Sequence, residues 1–318
     1  GVIVAFEAAG VGGIPVVKAI REGLSANRIN WLAGIINGTG NFILSEMREK
    51  GRTFEDVLAE AQALGYAEAD PTFDVEGIDA AHKLTILASI AFGIPLQFDK
   101  AYTEGITKLT TADVNYAEAL GYRIKHLGVA RRTDAGIELR VHPTLIPADR
   151  LIANVNGVMN AVMVNGDAAG STLFYGAGAG MEATASAVVA DLVDVVRALT
   201  TDPTNRVPHL AFQPDSLSDH PILPITDCES AYYLRIQAKD RPGVLAQVAS
   251  ILSERGINIE SIMQKEVEEQ DGLVPMILVT HRVAEQRMND AISALEALAD
   301  VVGNVAVSYT HLTLPTKA

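Results

Sequence analysis

The sequence predicts a two-part chain: a mixed-sheet α/β domain over residues 1–200, then an α+β module with the ferredoxin-like βαββαβ order over 228–306. Three observations carry this. Residues 122–175 shift from helical to strand patterning, whereas the residues before them are mainly helical. Residues 231–306 read strand, helix, strand, strand, helix, strand. Between the two parts, residues 201–227 hold five prolines and four aspartates among serines and threonines, which breaks any periodicity and reads as a linker. A chain of 318 residues is long enough for two ordinary domains.

Taken in order, residues 2–6 read as a buried strand and residues 7–13 as a loop. Pro15 opens a helix to about Glu22, since proline is tolerated in a first helical turn. Residues 29–36 form a strand ending in the loop Asn37-Gly38-Thr39-Gly40. A helix over 41–50 is closed by Gly51. In the next helix Thr53 is the cap, with Asp56 three residues on, and Gly65 ends it. Strands over 122–130 and 137–142 flank a Thr-Asp-Ala-Gly turn, and strands over 158–165 and 171–175 flank Gly166-Asp167. A long helix follows over 181–199. In the second part, helices fall at about 244–255 and 284–298, and Asp271-Gly272 makes a hairpin turn.

A net charge of −14 argues against a nucleic-acid or anionic-membrane partner. The one cysteine, Cys228, cannot form an internal disulfide, which suits a reducing cytosol and a cytoplasmic location. Apolar runs such as residues 84–94 fall short of the roughly 20 residues that span a bilayer. No His/Cys/Asp cluster has metal-ligand spacing.

Most chemistry is concentrated in residues 61–83, AQALGYAEADPTFDVEGIDAAHK. Glu68, Asp70, Asp74, Glu76 and Asp79 crowd together with Lys83. The helix from Gly77 to about Phe92 is charged only near its start and then runs apolar all round, the mark of a buried helix. Its first turns therefore sit at the mouth of a core. Asp79 and Lys83, four residues apart, share one helix face. Their plain reading is a surface ion pair; the apolar continuation favours a semi-buried lysine poised to exchange a proton. The further carboxylates suit a substrate that carries an ammonium group.

The order Ala61, Gly65-Tyr66-Ala67, Asp70-Pro71, Asp74-Val75, Gly77, Asp79, Lys83 resembles the signature of homoserine dehydrogenases, and the similarity runs from Phe6 to about Leu199 through FEAAGVGGIP, INGTGNFIL and YGAGAG. The resemblance implies a catalytic and dimerisation domain that interconverts aspartate 4-semialdehyde and homoserine with NADPH or NADH, on the route to threonine, methionine and isoleucine. It implies that Lys83 protonates the developing alkoxide and Asp79 fixes its position. Glu68 would hold the substrate ammonium, Asp74 would orient the network, and Tyr66 and Thr39 would line the pocket. His82 reads as a structural neighbour of Lys83. The family's nucleotide-binding half is expected ahead of Gly1, so these residues alone are not expected to turn over.

Two glycine-rich loops invite a dinucleotide reading. In Gly10-Val11-Gly12-Gly13-Ile14-Pro15, proline stands in place of the third glycine and Asn30 where an acid should bind the ribose, so it is no Rossmann loop. By resemblance this loop binds a monovalent cation, commonly sodium, through backbone carbonyls at Glu7, Gly10, Gly12 and Ile14; a valine is usual where this chain has Gly10. The second loop, Gly176-Ala177-Gly178-Ala179-Gly180, could simply let a helix pack on a sheet. The resemblance assigns Gly180 to the cofactor, with Thr184 supporting the helix start.

The segment AKDRPGVLAQVASILSERGINIESI resembles the start of an ACT domain, a small-molecule sensing module. Its turn at Asp240-Arg241-Pro242-Gly243 aims helix amides at a carboxylate, with Asn258 on the adjoining strand; the plain alternative is an ordinary βα turn. An amino-acid effector is expected, threonine being usual in the family, together with pairing into a dimer or tetramer. Residues 307–318, VSYTHLTLPTKA, resemble a translated sequencing adapter rather than native chain; a genuine C-terminal strand is the competing reading. The competing class of function is a non-catalytic amino-acid-binding or oligomerising protein with a vestigial acidic pocket.

Overall fold

The computed structural model describes residues 2–202, 205–264 and 272–310. The chain divides into two compact units, the first comprising Gly1–Thr111, Lys125–His142 and Asp149–Leu223 and the second Ala112–Ile124, Pro143–Ala148 and Pro224–Ala318.

In the first unit the sheet order is β6 (Gly170–Ala177), β5 (Met159–Gly166), β1 (Ile29–Ile35), β3 (Tyr122–Arg132) and β4 (Ile137–Pro147), with the short β2 (Tyr102–Thr103) parallel to β4. β1 runs antiparallel to both β3 and β5. β1 is buried along almost its whole length, so it reads as a continuous apolar run rather than an alternating one. Helix α6 (Ile78–Phe92) supplies much of the core: Ala81, Leu84, Leu87, Ala88 and Ile90 are buried with Leu32, Ile36 and Val162. Burying one such leucine or isoleucine is worth about 1.5–3 kcal/mol. The expectation of a helix with no solvated face beyond its charged start holds.

Helix starts and stops follow local chemistry. The Thr53 side chain accepts Asp56 N–H at 3.3 Å to start α4 (Phe54–Ala63). Gly51 ends α3 (Gly38–Lys50) at φ 63°. α3 begins three residues earlier than expected: Asn37 is its N-cap, accepting Gly40 N–H at 2.8 Å, so the polar loop is itself the first helical turn.

Three expectations fail here. Residues 2–6 form no strand, and Val2 and Val4 are exposed; apolar composition favours a strand, but without a neighbouring ladder its backbone groups have no sheet partner. The loop expected over 7–13 holds a short helix, α1 (Ala8–Val11), while the helix expected from Pro15 is present as α2 (Val16–Lys18) continued by a π-turn over Ala19–Gly23. Residues up to Leu223 belong to the first unit rather than to a free linker. Ile222 bridges Ile137, Ser218 N–H donates to Gly93 O at 2.7 Å, and the Phe212 ring lies against Gly93.

The second unit has the strand order β11 (Ala306–Thr310), β7 (Glu229–Lys239), β9 (Leu273–Thr280), β8 (Ile259–Gln264), with β10 (Val283–Ala284) beside β7. With α9 (Val244–Glu254) and α10 (Glu285–Glu296), this is the ferredoxin-like arrangement the sequence predicts. It also takes in α7 (Thr111–Ala119), whose buried Asp113 pairs with Arg235 at 2.6 and 3.0 Å and accepts the Tyr233 hydroxyl at 3.2 Å. The last strand extends past Ala306, so four residues assigned to the tail, 307–310, are strand. They pair with β7 in antiparallel register, and the Tyr309 hydroxyl donates to Glu285 at 3.3 Å. Residues 311–318, and Asp271 of the expected hairpin turn, lie outside the described residues.

Candidate active site

Strand β1 ends at Ile35, and the next two residues organise the site. The Lys83 ammonium donates to Ile36 O at 3.3 Å and to Asp79 Oδ2 at 2.8 Å. Both side chains are about four-fifths buried, with Lys83 23% and Asp79 19% exposed. This is no solvated surface pair. The Asn37 amide nitrogen donates to the same Asp79 Oδ2 at 2.9 Å and to Asp74 Oδ1 at 2.7 Å. Asp74 is carried by the turn α5 (Thr72–Val75). Burial pushes its carboxyl above the ordinary carboxylate range, while the Asn37 amide and the Lys83 charge pull it down and the Asp79 charge pushes it up.

These groups line a cavity of about 600 Å³. Its wall includes Thr39, Tyr66, Glu68, Asp70 and the turn at 178–180. Thr39 Oγ1 donates to Tyr66 O at 2.7 Å, and the Tyr66 ring meets Phe42 edge-on at 5.2 Å. Gln62 Nε2 donates to Glu68 O at 3.0 Å, which holds that loop while the Glu68 side chain stays exposed at the cavity. Asp70 instead serves its own turn: its carboxylate accepts Thr72 N–H at 3.1 Å, and hydrogen bonds from the Thr72 hydroxyl first and then its N–H lower its pKa. His82 points away, stacked on Phe98 at 3.7 Å and near Phe73 at 5.8 Å.

Gly180 lies on the cavity wall at φ 117° with open space where a Cβ would stand. A flat ring can approach backbone there without meeting a side chain, so the wall fits the reactive end of a nicotinamide cofactor. Thr184 is not brought to the cavity: its N–H closes the first turn of α8 (Met181–Ala198) on Gly180 O, and its side chain is exposed.

The two glycine-rich loops, weighed separately in the sequence, touch. A Cβ on Gly12 would lie 2.1 Å from Gly178 O, and Gly13 N–H donates to Ala177 O at 3.0 Å. Glu7 stands just before α1 and Gly10 within it, while Gly12 and Ile14 lie in the turn that follows, closed by a Val11–Ile14 bridge. The Glu7 carboxylate is committed: it accepts Val17 and Lys18 N–H, each at 2.8 Å, and caps the helix start. Glu7 O already takes Gly10 N–H and Ile14 O takes Val16 N–H, so a cation here would use remaining carbonyl lone pairs. Among the described residues, no three His, Cys, Asp or Glu side chains are grouped to hold a metal ion.

Two contributors escaped the sequence reading. Asn37 was legible as a polar loop residue, but not as the amide joining two carboxylates. Asn160, 1% exposed, fills the gap between Gly38 and Gly178; a Cβ on Gly178 would lie 2.2 Å from its amide. In a strand pattern it reads only as one polar position.

In the second unit, Gly243 at φ 93° precedes α9, and Arg241 reaches Asp300 at 3.6 Å. Asn258 lies beyond the other end of α9, whose 11 residues span about 16 Å. One chain therefore does not bring Asn258 to the turn at 240–243.

A family model described as homoserine dehydrogenase matches residues 15–193, and an ACT domain model matches 232–300. The chain is 90% identical over 305 residues to a homoserine dehydrogenase of Pseudomonas aeruginosa, covering 96% of this chain and 70% of that protein. A homoserine dehydrogenase of Neisseria gonorrhoeae is 61% identical over 297 residues, covering 93% and 68%. Among solved structures, a homoserine dehydrogenase from Thiobacillus denitrificans matches with a TM-score of 0.91 at 66% identity, over 96% of this chain and 69% of that one.

Proposed function

Since the chain belongs to the homoserine dehydrogenase family and carries an ACT domain, we propose that its cavity binds aspartate 4-semialdehyde or homoserine and that Lys83 moves the proton of their interconversion. The observation that carries this is the Lys83 ammonium, held semi-buried by Asp79 and Ile36 O at the edge of an acidic cavity. A bound nicotinamide cofactor would supply a hydride to the aldehyde carbon when reduced (NADPH or NADH) and take one from the alcohol carbon when oxidised. In reduction, Lys83 Nζ gives its proton to the alkoxide oxygen as it forms; in oxidation it takes the hydroxyl proton back. Asp79 holds the lysine in place, and Glu68 receives the substrate ammonium. Tyr66 and Thr39 form the wall that excludes water on that side.

In a chain joined to a nucleotide-binding half of the family, Lys83→Ala should lower kcat by about 10²–10⁴-fold with little change in KM, because proton donation matters in the transition state. Glu68→Ala should act mainly on substrate binding. A Lys83→Ala protein within threefold of the parent would reduce the pair to a helix ion pair.

A monovalent cation, sodium by resemblance, is proposed at the carbonyls of Glu7, Gly10, Gly12 and Ile14, where it would brace the turn against Gly178. Replacing sodium by choline should lower the thermal midpoint; an unchanged midpoint would remove the cation from this turn. The effector of the ACT unit is proposed to be threonine, bound where two copies pair.

A further inference from the structure

We propose that Asn37 is a positioning residue that favours the ionised form of Asp74 beside the Asp79–Lys83 pair, so that Lys83 exchanges its proton with substrate and not with Asp74. This rests on reading Lys83 as the proton donor. Asn37 Oδ1 accepts Gly40 N–H, a group that can only donate, so Nδ2 must face the two carboxylates. Its two hydrogens go to Asp74 Oδ1 and Asp79 Oδ2. Both oxygens then act as acceptors, and at Asp74 such a bond favours the ionised form.

The need for such a group follows from the charges around it. Asp74 faces Asp79 and Lys83 from α6, and Thr39 from α3; Glu68 and Asp70 stand on the same cavity wall. One ammonium serves this cluster, and it contacts Asp79 Oδ2. When Lys83 gives up its proton, Asp74 and Asp79 lose their nearby cation. Two carboxylates within reach of one nitrogen would then share a proton, as like charges at close range do. Asn37, 7% exposed, answers with two fixed donors that carry no transferable proton at neutral pH.

Asn37→Asp and Asn37→Ser separate this role from capping. Both replacements retain an oxygen that can cap α3, since Asp and Ser are good N-caps, while the two-donor amide is lost. The Asp74 carboxyl, followed by carbon-13 NMR, should titrate about one pH unit higher in both. The pH dependence of homoserine affinity should shift with it, at a thermal midpoint near the parent's. An Asp74 titration unmoved in both variants would overturn the proposal and leave Asn37 as a cap alone. Lys83→Ala, assayed in parallel in a chain joined to a nucleotide-binding half of the family, keeps the two ideas apart. If it retains turnover, the proton-donor reading falls whatever Asp74 does; if it loses turnover while Asp74 stays unmoved in the Asn37 variants, only the role of Asn37 falls.

Discussion

His126 lies on β3 beneath the starts of two helices that build the site. A Cβ on Gly77, just before α6, would meet its Cε1 at 3.0 Å, and one on Gly40 would meet its Nδ1 at 3.7 Å. Its Nε2 lies 2.9 Å from Glu104 O, so that nitrogen carries the proton. Burial then pushes its pKa down to about 4, although the Glu104 bond favours the charged form. The folded value lies below the unfolded one of 6.5. Stability is thus fully present above pH 6.5 and is lost as pH falls towards 4, because in that window the unfolded chain binds a proton the folded chain refuses. The whole window is worth about 3 kcal/mol. His126→Gln keeps a donor for Glu104 O and removes the titration. Urea unfolding at pH 7 and pH 4.5 should show a smaller loss for the variant; parallel losses would mean other groups set the acid limit. At this scale the sequence was legible where a residue acts through its neighbours along the chain, as Asp79 and Lys83 do. It was silent where the partner is distant, as for Asn37 with Asp74 and Asp79.

Elements whose pattern is local came out close to expectation. The all-apolar run after Lys83 became a buried α6, the Thr53 cap formed, and Gly51 and Gly93 ended their helices in the left-handed region. What depends on a remote strand did not: residues 2–6 carry strand composition and no strand. Glycines at helix boundaries also differ in their surroundings. Gly51 has φ 63° and nothing within 4 Å of an added Cβ, whereas Gly77 has φ 82° with His126 and Val141 at 3.0 and 3.1 Å. Gly51→Ala should therefore cost about 1–2 kcal/mol, from backbone conformation alone. Gly77→Ala adds overpacking and should cost about 2–5 kcal/mol, while displacing the turn that carries Asp79. Denaturant unfolding of both, with homoserine binding measured on the folded protein, checks this. Equal costs and equal affinities would show that the start of α6 is not held by its packing on His126.

At the scale of the molecule, the second unit is more than the strand–helix pattern of its own sequence region. It draws in residues 112–124, through the Asp113–Arg235 pair, and 143–148, through the parallel pairing of Thr144 with Tyr309. Neither inclusion could be read from periodicity, because each is a contact between segments more than a hundred residues apart. The turn at 240–243 presents the first amides of α9, suited to a carboxylate, but Asn258 lies past the opposite end of that helix. A site that uses both must take Asn258 from a second copy. If threonine is the effector, it should raise the thermal midpoint by binding the folded form, and chains carrying Asp240→Ala and chains carrying Asn258→Ala should each lose that rise. Unfolded and refolded together, mixed pairs of the two chains would have one site with both residues intact and one with neither, and part of the threonine response should return. By linkage, the same mixture should recover part of any effect of threonine on homoserine affinity. If mixing restores nothing while each variant still forms dimers, the two residues do not share a site across copies.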